Sequence, residues 1–218
     1  MSMEVTIRSY REDDFPALLR IQRECFPPPF PPELHWSLAH IRSHVARFPA
    51  GALAASCGGE LVGSATAHVI AWAAAGGHSW AQASADGFLT NHDARGDTLY
   101  GVDVAVRPAW RRQGVARALY AARYALVRRL GLARFVAGSR LAGYAAARAR
   151  QPGLEPEDYA AAVCRGELAD PVITPQLRAG LQPLRVMRGY LPDAEAADCA
   201  LLMAWTNPDR RPPEPPCA

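Results

Sequence analysis

The stretch from Thr98 to Leu130, TLYGVDVAVRPAWRRQGVARALYAARYALVRRL, constrains the fold more than any other part of the chain. Between Leu99 and Val106, Val102, Val104 and Val106 alternate with Gly101, Asp103 and Ala105, the period of a strand. Pro108 ends that strand, because its ring removes a ladder donor. After Arg111, Arg112, Gln113 and Gly114, Val115, Leu119, Ala122, Leu126 and Leu130 recur at helical spacing. A strand, a basic glycine-containing turn and an amphipathic helix build an anion site. The first helical turn leaves backbone N–H groups unpaired, and the helix dipole adds partial positive charge there. Gly114 and Ala116 let a phosphate approach the backbone, while Arg111, Arg112 and Arg117 offer charge-assisted donors.

Val106-Arg107-Pro108, then Arg111-x-x-Gly114-x-Ala116 and a helix, resembles the acetyl-CoA motif of the GCN5-related N-acetyltransferases. The resemblance implies an α/β (α+β mixed-sheet) fold, with a mostly antiparallel sheet, one parallel splayed strand pair and flanking helices. It implies acetyl-CoA as cosubstrate, with Val104, Ala105 and Val106 holding the pantetheine arm. Arg111, Arg112, Gln113, Gly114, Val115, Ala116 and Arg117 would take the pyrophosphate. The run from Asp97 to Tyr144, with LYG before the motif and SRLAGY after it, resembles a bacterial subgroup. Some members of that subgroup are fused to a carbon–nitrogen hydrolase. The resemblance covers about the whole folded chain, but only the central motif is specific.

The rest of the chain is organised around that unit. Met3 to Tyr10 alternates like a strand, and Asp13 or Asp14 can cap a helix carrying Leu18, Ile21 and Cys25. The prolines from Pro27 to Pro32 interrupt it, and a second helix is predicted from Glu33 through Val45. His40 and His44 in that helix have metal-pair spacing, yet no third ligand is near, so a polar helix face is expected and no metal. A hairpin is predicted over 51–71, turning at Gly58-Gly59. The segment 72–97 is long for a connection and reads as a substrate lid or a family insertion. Its His92-Asp93 pair reads as a turn rather than a dyad.

Gly131 suits a helix C-cap, and Arg134 to Gly138 reads as the parallel neighbour of the central strand. An insertion is expected at about 139–170, a short helix over 174–180, and two final strands at 184–190 and 201–206. One domain over 1–206 is predicted, with a Pro-rich, disordered tail over 207–218.

Acetyl transfer to an amine needs a proton acceptor, a donor for charge on the thioester oxygen, and help for the departing thiolate. Relatives use a Tyr in the last short helix for that last role. Here the position falls on Gln176, which cannot donate a proton as an acid. Tyr100 and Asp103 are the catalytic candidates, with Tyr144 and Glu155 behind them. Strict alternation puts Tyr100 on one face with Val102, Val104 and Val106, and Asp103 on the other. A core aromatic is the alternative for Tyr100, and a salt bridge with an arginine the alternative for Asp103.

Half of the 218 residues are hydrophobic, which excludes a wholly disordered chain. No apolar run is long enough to span a bilayer, so no membrane partner is expected. Five scattered cysteines without a CxxC pair give neither a disulfide framework nor a zinc knuckle, which fits a reducing cytoplasm. The net charge is +3, with arginines crowded between Arg107 and Arg150. That crowding suits a coenzyme A phosphate. Nucleic acid would suit it too, but no nucleic-acid motif accompanies it, so none is expected. The expected function is an acetyl-CoA-dependent N-acetyltransferase acting by direct transfer on an unknown amine. The alternative is a non-catalytic acyl-CoA-binding or regulatory module on the same fold. Dimers are common in the family, so a homodimer is the assembly to test.

Overall fold

The computed structural model describes residues 4–72 and 78–210. Its elements run β1 (Val5–Ser9), α1 (Phe15–Cys25), α2 (Leu38–Arg47), β2 (Ala52–Cys57), β3 (Glu60–Ile70), α3 (Trp80–Ser84) and β4 (Thr98–Val106). There follow α4 (Val115–Arg129), β5 (Arg134–Arg140), α5 (Tyr144–Arg150), α6 (Pro156–Cys164), α7 (Ile173–Arg178), β6 (Gln182–Met187) and β7 (Ala200–Thr206). All strands join one seven-stranded sheet in the order β1-β2-β3-β4-β5-β7-β6. Every neighbouring pair is antiparallel except β4 and β5, which are parallel and joined by α4. The mixed sheet with one parallel pair is as the sequence leads one to expect.

Alternating side chains send each strand to two cores. Leu99, Phe135, Leu201 and Met203 pack with Leu126 and Val127 of α4 and with α5 to α7. Tyr100, Val136, Ala200 and Leu202 pack on the opposite face with Leu18, Trp36, Ile41 and Trp80. A third cluster joins Val115 and Leu119 of α4 to Leu53, Ala55 and Val62. Helix α4 ends as its sequence suggests, with Gly131 at φ +64° and Leu132 N–H donating to Val127 O at 3.0 Å. Leu130, expected on its apolar face, is instead exposed as the helix C-cap.

Elsewhere the local chemistry shifts boundaries. The prolines set a 3₁₀ turn at Pro32–Leu34, so α2 starts later than expected, at Leu38, where Ser37 and His40 form a capping box. The 72–97 segment is folded over 78–97, not open: Ser79 caps α3, and Trp80, Ala83 and Leu89 are buried. The region expected as an insertion holds α5 as well as α6, because YAAARAR is rich in strong helix formers. Asn207, placed in the tail by sequence, is buried, and its Nδ2 donates to Leu132 O at 2.9 Å. The tail beyond residue 210 lies outside the described residues.

Candidate active site

The site is made by a break in strand pairing. β4 and β5 pair only from Thr98↔Arg134 to Gly101↔Ala137, although both strands continue further. Past that point they separate, and the backbone groups of β4 that face β5 have no strand partner. On its other side β4 stays paired with β3, but with a bulge: Thr66 pairs with Asp103 and Ala67 with Gly101, leaving Val102 extra. Its carbonyl leaves the ladder and accepts from Trp80 Nε1 at 3.0 Å.

The bulge corrects the expected facing of Asp103. Tyr100 and Val102 belong to the core beneath α1 to α3, whereas Val104 and Val106 pack with α4. Asp103 now sits on the α1–α2 side, where strict alternation would have excluded it. Its Oδ2 accepts from Gln22 Nε2 at 2.9 Å and from Trp36 Nε1 at 3.3 Å, and its Oδ1 accepts from Thr66 N–H at 2.8 Å. Burial holds the Asp103 carboxyl above its ordinary pKa, opposed by the nearby Arg123 and these donors. The salt-bridge alternative does not describe the geometry. Arg123, 1% exposed, donates from Nη2 to Thr66 O at 3.0 Å and to Asp103 O, not to the carboxylate.

Asp103 faces a cavity of about 120 Å³ that opens where β4 and β5 part. Its far wall is aromatic, from Phe26 and Phe30 of the proline-rich segment with Trp36 and Trp80. Arg140 of β5 closes one side, stacked 5.6 Å over the Phe30 ring and paired with Asp193 at 2.6 Å. Gln176 and Tyr120 complete the wall near Gly138. Gln176 Oε1 accepts from Ser139 Oγ.

Tyr100 is not on that wall. It is fully buried, its hydroxyl 2.9 Å from both Tyr190 Oη and His78 Nε2, which is the tethered core tyrosine of the alternative reading. Tyr144 is likewise buried and donates to Leu154 O at 2.8 Å, and Glu155 pairs with Arg188 at 2.8 Å. His44 has both ring nitrogens engaged, accepting from Tyr10 Oη at 2.7 Å and donating to Gly87 O at 2.6 Å. His92 Nδ1 accepts from Val69 N–H at 3.2 Å, while Asp93 accepts from Arg95 N–H at 3.0 Å. Among the described residues no group of three His, Cys, Asp or Glu could hold a metal.

The basic turn lies beside the open end of the strand pair. Gly114 is the N-cap of α4 at φ +86°, no side chain caps that helix end, and a Cβ there would meet nothing within 4 Å. The helix N-terminus is thus open to an anion. Val115 is buried beneath it as an anchor, Ala116 is half-buried, and Arg112 and Arg117 are exposed. Arg111 Nε donates to Val106 O at 3.3 Å, and Gln113 Nε2 to Ala109 O at 2.9 Å, so both side chains shape the turn itself. The crowd of arginines is not one basic face. Arg107 pairs with Glu24 and Glu60, Arg128 with Asp209, and Arg140 with Asp193 and Glu195.

Gln22, Trp36, Trp80, Tyr120, Arg123 and Arg140 are the wall residues that sequence reasoning missed. The signal for Gln22, Tyr120 and Arg123 was available: each is a polar or amphipathic residue at a helix position whose neighbours are apolar.

A sequence model described as the Acetyltransferase (GNAT) family matches residues 15–150. An uncharacterized N-acetyltransferase of Bacillus subtilis, YkwB, is 39% identical over 93% of this chain and 89% of its own. A probable hydrolase of the same organism, YhcX, is 34% identical over 96% of this chain but only 40% of its own length. Among solved structures, a GNAT-like decarboxylase, GphF, in complex with isobutyryl-CoA is 26% identical, with TM-score 0.76 over 93% of this chain and 99% of its own. The structure of yncA of Salmonella typhimurium with acetyl-CoA shares the fold at TM-score 0.59 and 17% identity, over 98% and 99% of the two chains. Among the described residues no helix is long and apolar enough to cross a membrane.

Proposed function

The chain belongs to the acetyltransferase (GNAT) family, and we propose that it moves an acetyl group from acetyl-CoA directly to the amine of an acceptor. One observation carries the cosubstrate: the strands part beyond Gly101 and Ala137 beside an uncapped helix N-terminus whose Gly114 leaves the approach clear. The residues fit a phosphate-bearing pantetheine arm. The unpaired edge of β4 around Val104 to Val106 can bond the arm's amides. The turn from Arg111 to Arg117 offers N–H groups and charge to the pyrophosphate.

Within the cavity, Asp103 takes the proton of the attacking amine. Its raised pKa makes it a better base than an exposed carboxylate, and its three donors fix its direction. Backbone N–H groups just past the bulge are the donors available to the thioester oxygen. The aromatic wall of Phe26, Phe30, Trp36 and Trp80 suits an acceptor with an apolar body around its amine.

Calorimetric titration with acetyl-CoA, for the wild type and Gly114→Glu, followed by a screen of amines for turnover, tests the reading. Saturable binding lost in the variant, with turnover by the wild type, is expected. No binding by the wild type overturns it, and binding without turnover on any amine leaves an acyl-CoA-binding module. A second reading, decarboxylation of a carboxyacyl-CoA, is favoured by the 26% identity and TM-score of 0.76 to the decarboxylase. Loss of CO₂ from malonyl-CoA without an amine would establish it.

A further inference from the structure

Resting on the acyl-transfer reading, we propose that Tyr120 of α4 is the general acid that protonates the departing coenzyme A sulfur. The proton donor expected from α7 is missing there, since Gln176 occupies the position. Its amide oxygen is already committed to Ser139 Oγ. Tyr120 lines the same cavity wall from α4, beside Gln176, Ala137 and Gly138, where the two strands have just parted.

The hydroxyl of Tyr120 is buried; the Gln176 side chain lies against its oxygen, and no acceptor of normal geometry takes its proton. Buried hydroxyls nearly always place their proton on an acceptor, so one on a cavity wall without an acceptor points to a ligand atom that supplies it. Other buried tyrosines of this protein are tied: Tyr10 to His44, Tyr100 to Tyr190, Tyr144 to Leu154, and Tyr159 to Asp170. The ring of Tyr120 is held edge-on to Phe135 at 6.1 Å, so packing and the Gln176 side chain together aim the hydroxyl. Burial raises its pKa, with Arg123 and the Gln176 side chain opposing, and so the hydroxyl keeps its proton at neutral pH.

The step balances. Asp103 takes the proton of the amine as nitrogen adds to the thioester carbon. When the tetrahedral adduct collapses, the C–S bond breaks and its electron pair stays on sulfur. The O–H bond of Tyr120 breaks, and that proton passes to sulfur. The phenolate left behind faces Arg123, whose guanidinium lies 5.7 Å from the ring centroid. Proton return from Asp103 through solvent restores both groups.

Coenzyme A itself is the probe. The thiolate absorbance of bound coenzyme A is titrated with wild type and with Tyr120→Phe, and the affinity of each is measured by calorimetry. A hydroxyl that donates to sulfur stabilises the thiolate. The bound thiol should therefore titrate about one pKa unit lower in the wild type, roughly tenfold in the thiolate/thiol ratio at a given pH. Affinity for the protonated form should be unchanged.

Equal thiol titration in the two complexes overturns the role of Tyr120 and leaves acyl transfer standing. Loss of coenzyme A binding in Tyr120→Phe also overturns it, since the residue would then be structural. A wild type that does not bind coenzyme A overturns acyl transfer, and the inference with it. Should Tyr120→Phe not fold, 3-fluorotyrosine at the same position acidifies the phenol without reshaping it. An unmoved thiol titration there overturns the inference.

Discussion

The two halves of β4 are made from similar residues and have opposite fates. Thr98 to Gly101 are paired on both edges, by β3 and by β5, and all are buried. Asp103 to Val106 keep only the β3 edge, the bulged Val102 has no strand partner, and Val102, Asp103 and Val104 line the cavity with Gly101 at its edge. The first half turns Tyr100 into a core residue with a bound hydroxyl. The second turns Asp103 into a wall residue with a raised pKa. What separates them is strand pairing, not residue type: where β5 leaves, backbone and carboxylate become available to a ligand.

Asp103→Asn tests the open half and carries the largest expected effect. Asn keeps the shape but cannot take a proton, so acetyl transfer to the best amine of the screen should fall by about 10²–10⁴-fold. Acetyl-CoA affinity should stay the same, because on the proposed reading the carboxylate meets the acceptor and not the cosubstrate. A kcat that survives the change moves the base elsewhere. The wild-type profile is a companion test. A base with raised pKa loses activity as pH falls, and does so above the ordinary aspartate value of 3.8.

Gly101→Val tests the closed half. A Cβ at Gly101 would sit 2.7 Å from Phe135 Cζ and 2.9 Å from its Cε2, between two paired strands. Overpacking of that kind should cost about 1–3 kcal/mol. At this chain length each kcal/mol lowers Tm by roughly 2–4 °C. A Tm equal to the wild type would show that the pairing is looser than the register states.

The contrast between the halves also marks what could be read from residues alone. Strand, turn and helix from Thr98 to Arg129 are legible because period, proline, glycine and length all agree there. The parallel partner at Arg134 follows from the length of the crossover. The facing of Asp103 is not legible, since a bulge is a property of two strands in register and TLYGVDVAV carries only one of them. The donors to Asp103 come from Gln22, Trp36 and Thr66, far apart in sequence, so no local pattern announces the site. The aromatic wall is hidden for a similar reason: Phe26 and Phe30 flank prolines that read as a break. Helix α5 is not legible either, because an Ala- and Arg-rich run lacks the apolar stripe that marks a helix.

A third prediction concerns the layer beneath the closed half. Burial lowers the pKa of His44 and of His68 to about 4, and each donates from Nε2 to a backbone carbonyl as the neutral ring. In the unfolded chain each titrates near 6.5. Between those values the unfolded state binds more protons, so stability is complete above about pH 6.5 and falls as pH drops toward 4. The expected slope is about 1.4 kcal/mol per pH unit for each imidazole. Denaturant midpoints at pH 7 and pH 5 measure it, and His44→Gln should remove about one imidazole's share. An identical pH dependence in that variant would place the titrating group elsewhere.

The smallest effect belongs at the rim of the open half. Arg117 stands exposed in the first turn of α4, one turn past the uncapped Gly114, and its guanidinium has water as the alternative to any phosphate. Arg117→Ala should weaken acetyl-CoA binding by only about 1 kcal/mol, near fivefold, because an exposed charge keeps little of its Coulomb energy. The loss should shrink as salt is raised, since screening removes the same interaction from the wild type. Tm should not fall, as alanine is the better helix former. A loss that is large and indifferent to salt would mean that Arg117 closes over the phosphate out of water. The open half of β4 would then continue into a closed site rather than an exposed groove.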